Sequence, residues 1–361
     1  MLTIILMTMA LEGPVRIDLE EVYRPIFKES IAYADGYLYM TDFQNGTLIR
    51  IGKDGEQITI GKKGKGPGEM SHPTQVRVIE DRVYVSDLGQ KVVSFDLDGN
   101  HIEDFKVQNG PFRTPAGWLG FKDPGFGQES DTQTRLVLMN QEGEITREIA
   151  KAGKPRGYSI MIENGVPAFD YEPAKDSPHL VMDRNGKIAW FYNPNTGTIQ
   201  LLNTTTGDAI KSIKVKGKLK PFDKEWGKEQ VAKMSDMTMN GTKVKAKVRG
   251  IYPDFFPKIS KMSVDAQGRL WTVDGIYAMN PKQSTTTIYA PDGTEVKAPF
   301  GFSVNDRVVG LENGSGWLFC FDIEADHAYL LFASENQLPK LAEAHLNEAD
   351  ESGGMQLSVS N

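Results

Sequence analysis

Two stretches of this chain carry the same rhythm of apolar and polar positions. Ile31 to Ile60 and Val76 to Val107 each hold four short runs of alternating character, the two-residue period of a strand that buries one face. The turn signals between the runs come in the same order. A polar turn (Ala34-Asp35-Gly36; Glu80-Asp81-Arg82) follows the first run, and an aromatic or β-branched run then ends in Asp42 or Asp87. A third run leads through Asp54-Gly55 or Asp98-Gly99 into a fourth. Asp-Gly between alternating runs is a hairpin signal, because the reversal needs a residue at positive φ.

The unit recurs with decay. Trp118 to Ile149 turns at Glu142-Gly143, Leu180 to Val215 at Asn185-Gly186 and Thr206-Gly207, and Ile259 to Val296 at Gln267-Gly268 and Asp292-Gly293; Phe302 to Ser334 completes the series. Six four-strand units predict an all-β, six-bladed β-propeller over residues 13–335, since a small sheet cannot cover both its faces alone and stacks radially with its neighbours. Val15-Arg16-Ile17-Asp18-Leu19 alternates and has no partner nearby in sequence. It is expected to close the ring as the outer strand of the last blade. Residues 217–258 break the repeat as a partly helical insert, with its best helix over Asp223–Met234, Asp223 at the cap and Trp226, Val231 and Met234 available for packing. Residues 336–361 read as a polar tail with a short helix at Leu338–Ala349.

A family resemblance becomes visible on particular residues. Gly64-Lys65-Gly66-Pro67-Gly68-Glu69-Met70, followed by His72-Pro73, resembles the interblade loop of NHL-repeat propellers. Tyr252-Pro253-Asp254-Phe255-Phe256-Pro257, leading into Val264 to Trp271, is similar to bacterial TolB-like six-bladed proteins. The resemblance covers 31–107 and 252–300 and implies a fold more than an activity, because propellers host many unrelated functions.

Charge changes the picture more than composition does. The chain carries a net −7, yet residues 211–249 hold 12 Lys or Arg against 4 Asp or Glu, a net +8 that leaves −15 on the remainder. That segment fits a docking surface for an acidic partner, or a solvated edge protected by lysines. Nucleic acid is not an expected partner, because the total charge is negative and no aromatics interleave with these lysines. The single cysteine, Cys320, excludes an internal disulfide and reads as a buried thiol. Leu2–Leu11 is apolar but too short to span a bilayer, so no membrane span is expected. Residues 1–12 resemble a secretory signal core ending at Thr8-Met9-Ala10, without the preceding positive charges; the alternative is a packed or frayed N-terminal strand. The first reading places the protein in the periplasm or outside the cell, the second leaves it cytoplasmic.

Chemistry-bearing residues are sparse. His72 and His179 each begin an innermost strand and are expected at the channel mouth, where a base or ligand contact is best placed. Trp226, Tyr252, Phe255 and Phe256 could anchor a partner, or could pin the insert to the blades. The strand-ending aspartates Asp42, Asp87 and Asp274 read as turn-capping repeat residues. A rival reading follows from a resemblance to gluconolactonase-type propellers, which implies a divalent cation such as Ca or Zn at the axis. Glu29 and Asp274 match its ligand pattern, but Glu29 lacks the following Gly-Pro, and Met262-Ser263-Val264 replaces the asparagine motif. The Gly-rich stretch 61–69 lacks the GK[ST] ending of a phosphate loop and is expected to connect blades. The leading expectation is therefore a non-catalytic binding propeller with no cofactor, taking a protein or small-molecule ligand at the channel mouth near the insert. A metal-dependent lactonase or hydrolase is the alternative.

Overall fold

A computed structural model of the chain describes residues 15–18, 31–88, 91–107, 111–123, 133–153, 161–163, 166–217, 219–239, 242–265, 267–275, 279, 285–296, 307–312, 315–322 and 327–334. The predicted helix at Leu338–Ala349 and the N-terminal run lie outside these residues.

Six four-stranded antiparallel sheets are the blades. Five are built from consecutive strands, for instance Ile31–Ala34, Tyr37–Asp42, Thr47–Gly52 and Gln57–Ile60 in the first. The second runs from Pro73–Ile79 to His101–Phe105, the third from Phe112–Thr114 to Ile145–Lys151, the fourth from His179–Met182 to Ala209–Lys214, and the fifth from Lys261–Val264 to Glu295–Val296. The sixth joins Arg307–Glu312, Ser315–Asp322 and His327–Ser334 to Val15–Asp18, which pairs antiparallel as its outer strand with Val15 opposite Phe332. The expected N-terminal closure is therefore present, and it removes the exposed edge that His327–Ser334 would otherwise offer.

Alternation explains how the blades stack. In the fourth blade Ala189 and Phe191 point one way, into a cluster with Leu119, Phe121 and Leu138 of the third. Trp190 and Tyr192 point the other way, into a cluster with Met262, Leu270 and Tyr289 of the fifth. The same division puts Val93 and Phe95 against the first blade and Val92 and Tyr84 against the third. Each strand thus feeds two interblade cores, and fully buried aromatics such as Trp118, Trp190 and Tyr39 fill them.

The outer hairpins contribute a second device. Gly99 has φ +92, and a Cβ there would lie 2.7 Å from Ile60 of the preceding blade. Gly207 and Gly293 repeat this against Leu138 and Lys211. The glycine serves the turn and the blade contact together.

The inner hairpins meet at one face of the ring, called here the lower face. The turn of the fourth blade reaches across it. Arg184 pairs with Asp35 of the first blade, its carbonyl accepts the Glu80 amide of the second at 2.7 Å, and Gly186 lies against Ile79 and the Arg113 carbonyl. First and fourth blades stand opposite each other in a six-membered ring, so this crossbar reaches across the lower face.

The insert folds as helix Lys224–Ser235, hairpin Asp236–Met239 with Thr242–Lys245, and strand Lys247–Gly250. Asp223 caps the helix, its Oδ1 accepting the amides of Glu225 at 2.9 Å and Trp226 at 3.1 Å. Sequence reading missed the partner of the last strand. Lys247–Gly250 runs parallel to Val166–Tyr171, a strand in the linker between the third and fourth blades, and Arg249 grips Asp170 with Nε at 2.7 Å.

Candidate functional site

Inner strands begin and second strands end at the upper face, where His72, His179 and the strand-ending acids lie. Its strand-ending acids play three different parts. Asp42 accepts the amides of Gln44 at 3.1 Å and Asn45 at 3.0 Å, capping its own turn. Asp87 reaches the incoming connector instead, accepting the amides of Ser71 at 2.9 Å and His72 at 2.5 Å. Asp274 departs from both. Its Oδ2 takes the ammonium of Lys220 from the insert at 2.9 Å, while Oδ1 is buried with no hydrogen-bond partner among the described residues.

His72 immediately precedes the inner strand of the second blade, and His179 begins that of the fourth. The His72 ring lies 4.9 Å from Phe43, and its carbonyl accepts the Leu88 amide at 3.0 Å. Leu88 is 51% exposed with φ +32, an uncommon and costly conformation for a bulky residue, of the kind found where a side chain is presented for contact. Sequence reading passed over it as an ordinary strand-end residue.

His179 stacks on Tyr192, its cross-strand partner, with ring centroids 6.1 Å apart. The Tyr192 hydroxyl donates to Asp176 Oδ2 at a long 3.4 Å, and Asp176 Oδ1 is buried with no hydrogen-bond partner among the described residues. Burial pushes the Asp176 carboxyl up to about 6, helped by Glu172 and opposed by the Tyr192 bond and Lys258. Burial and the nearby Asp176 charge likewise push the Tyr192 phenol up. Two buried carboxylate oxygens without donors among the described residues, one just before the fourth blade and one at a strand end of the fifth, are unusual, since buried polar atoms are almost always paired.

The four candidate aromatics divide. Phe256 is 2% exposed and packs with Phe222, Ala174, Trp226 and Tyr252 in the core of the insert. Phe255 is 46% exposed. A short antiparallel contact explains the division. Pro221 pairs with Phe255, the Phe222 amide donates to Asp254 O, and the Phe256 amide donates to Lys220 O. Alternation about this pairing turns Phe222, Phe256 and Lys220 toward the propeller and leaves Leu219, Pro221 and Phe255 outward. Leu219 is 44% exposed.

Two further readings meet the geometry here. The loop at 61–69 connects blades, with Lys62–Lys63 pairing parallel to Glu69–Met70. The Glu69 carboxylate accepts the Gly66 amide at 2.9 Å and pairs with Lys62 at 3.0 Å. The Gly66 amide, then Lys62, hold Glu69 below the usual carboxylate range. The donors a phosphate would need are thus taken by the loop's own side chain. For the metal alternative, Glu29 lies outside the described residues and Asp274 is engaged by Lys220. Among the described residues no group of three or more His, Cys, Asp or Glu is placed to hold a metal.

Residues 24–172 match a family, DUF5128, described as a 6-bladed beta-propeller. The chain is similar to a Bacteroides fragilis protein whose name describes it as exported, at 12% identity and TM-score 0.47, over 89% of this chain and 93% of that one. It is similar to virginiamycin B lyase from Staphylococcus aureus, at 12% identity and TM-score 0.40, over 88% and 99%. Regucalcin, a calcium-binding protein from Agrobacterium tumefaciens, aligns at 11% identity and TM-score 0.40, over 90% and 95%. Among curated proteins none matches the chain in sequence. No described helix is long and apolar enough to cross a membrane.

Proposed function

We propose that this propeller is a non-catalytic binding module that takes a protein or small-molecule ligand on its upper face, beside the 217–258 insert. The crossbar at Arg184 carries the reading. Those contacts obstruct the lower face, which favours approach to the axis from the face bearing His72, His179, Leu88 and the insert. The outward side of the insert supports it further, because Leu219 and Pro221 are apolar yet exposed within the 211–249 segment of net +8, and exposed Phe255 pairs with Pro221. An apolar patch ringed by cations suits an acidic partner with a hydrophobic anchor. The glycine-rich connector supports reading the repeats as NHL-type, and the signal-like run Leu2–Leu11 supports a place outside the cytoplasm.

Affinity capture with wild type and with Phe255→Asp or Leu88→Asp tests the reading. Both changes are at exposed positions and leave the melting curve close to that of wild type, while lowering partner recovery at least tenfold. Unchanged recovery from both variants would remove the upper-face reading.

A further inference from the structure

The repeat changes character at a place that the reading above does not use. Strand-end pairs fix the correspondence between blades: Asp42 opposite Thr47, Asp87 opposite Lys91, Lys122 opposite Arg135 and Asn193 opposite Thr198. Two residues into each third strand, on the side facing the preceding blade, stand Ile49, Val93 and Val137, all 1% exposed or less. The fourth blade puts Gln200 there, half-buried, with Ser212 across from it; the fifth puts Thr287 there, also half-buried. A cleft of about 430 Å³ opens at this point between the third and fourth blades, within the range of roughly 300–1,000 Å³ common for small-ligand sites.

The cleft is clamped at both ends. At one, Arg147 donates to the Thr206 carbonyl and to Asp208 at 2.8 Å, and Gly207 packs against Leu138 and Ile149. At the other, Asn193 Nδ2 donates to the Lys151 carbonyl at 3.0 Å. The opening between them is therefore held by the two blades rather than by a loop. Its chemistry is narrow. Arg147 and Asp208 neutralise each other, which leaves neither a free cation for an anion nor a free carboxylate for an amine. The middle offers the Gln200 amide and the Ser212 hydroxyl, each able to donate and accept, and the Thr198 hydroxyl, which shares a 2.6 Å hydrogen bond with the Thr196 hydroxyl and keeps capacity to accept, against an apolar floor of Ile149 and Leu202.

We propose that this interblade cleft binds a neutral, hydroxyl-rich small molecule of sugar size, oriented by Thr198, Gln200 and Ser212. The site is separate from the upper-face surface and stands without it. The test is a chemical-shift titration of the full ¹⁵N-labelled chain with glucose, N-acetylglucosamine, cellobiose and glycerol, with phosphate and methylammonium as charged controls. At least one neutral probe produces saturable shifts at the Gln200 side-chain amide and at Thr198 and Ser212. Gln200→Leu places there an aliphatic residue like those of the first three blades, so it weakens that binding at least tenfold without lowering the melting temperature. Ser212→Ala, on an exposed strand, weakens it in the same direction. The proposal is overturned if no neutral probe gives saturable shifts at these residues up to tens of millimolar, if the charged controls shift them equally, or if Gln200→Leu leaves binding unchanged. Stabilisation by Gln200→Leu with no binding in wild type would mark the cleft as a packing defect.

Discussion

Asp176 offers the sharpest energetic test, through Asp176→Asn. Its carboxyl rises from 3.8 to about 6 because burial disfavours the charge, which corresponds to roughly 3 kcal/mol as an upper bound. Residual exposure of the residue reduces this to about 1–2 kcal/mol. The folded chain holds this proton more tightly than the unfolded chain does. The favourable contribution is therefore complete below the unfolded value and is lost as pH rises through about 6. Above that pH the wild type carries an ionised, poorly partnered carboxylate that the amide replaces without charge, while the Tyr192 hydroxyl keeps an acceptor. Urea unfolding of both proteins at about pH 4 and about pH 8 isolates the effect as a difference of differences. The variant should gain about 1–2 kcal/mol on wild type between the two pH values. Equal differences at both, or a gain at the acid end, would refute the assignment of a buried, strained carboxylate.

Other parts of the structure give equally concrete outcomes. Gly55 and Gly99 occupy the same turn position at φ +85 and +92, but a Cβ at Gly55 meets nothing within 4 Å whereas one at Gly99 meets Ile60. Gly55→Ala should cost about 1 kcal/mol from backbone strain, and Gly99→Ala about 1–3 kcal/mol more from overpacking, as read by urea unfolding; equal losses would deny the close blade contact. Asp87→Ala removes the acceptor for two connector amides and should cost about 1–3 kcal/mol, with faster amide exchange at Ser71 and His72. Arg184→Ala should cost only about 1 kcal/mol, the pair being partly exposed, yet raise amide exchange at Glu80 measurably. Protection there equal to wild type would mean that the crossbar does not hold the lower face.

The architecture was legible because its signals are local. Alternating runs and turn glycines recur at fixed offsets, and both Val15–Asp18 as the closing strand and Asp223 as a helix cap follow from that pattern. The strand Val166–Tyr171 escaped notice because its partner, Lys247–Gly250, lies about eighty residues away in parallel, and no turn signal links such a pair. The candidate site was legible in part. His72, His179 and Asp274 could be placed at strand ends by repeat arithmetic, and they do share a face. Which aromatic of Phe255-Phe256 points outward depends on the pairing with Pro221, which the sequence does not announce. Asp176, Leu88 and the Arg184 crossbar arise from contacts between distant segments, and residue type alone carries no trace of them.

Site-specific photo-crosslinking from opposite sides of the ring tests the binding face most directly. A photoreactive residue is placed in turn at Phe255 and Leu88 on the upper face, at Asp81 on the lower face, and at Ile102 on the outer rim, and adducts are mapped in cells. The account predicts adducts from Phe255 or Leu88 and none from Asp81 or Ile102. Adducts from Asp81 or Ile102 alone, or from none of the four, would contradict it.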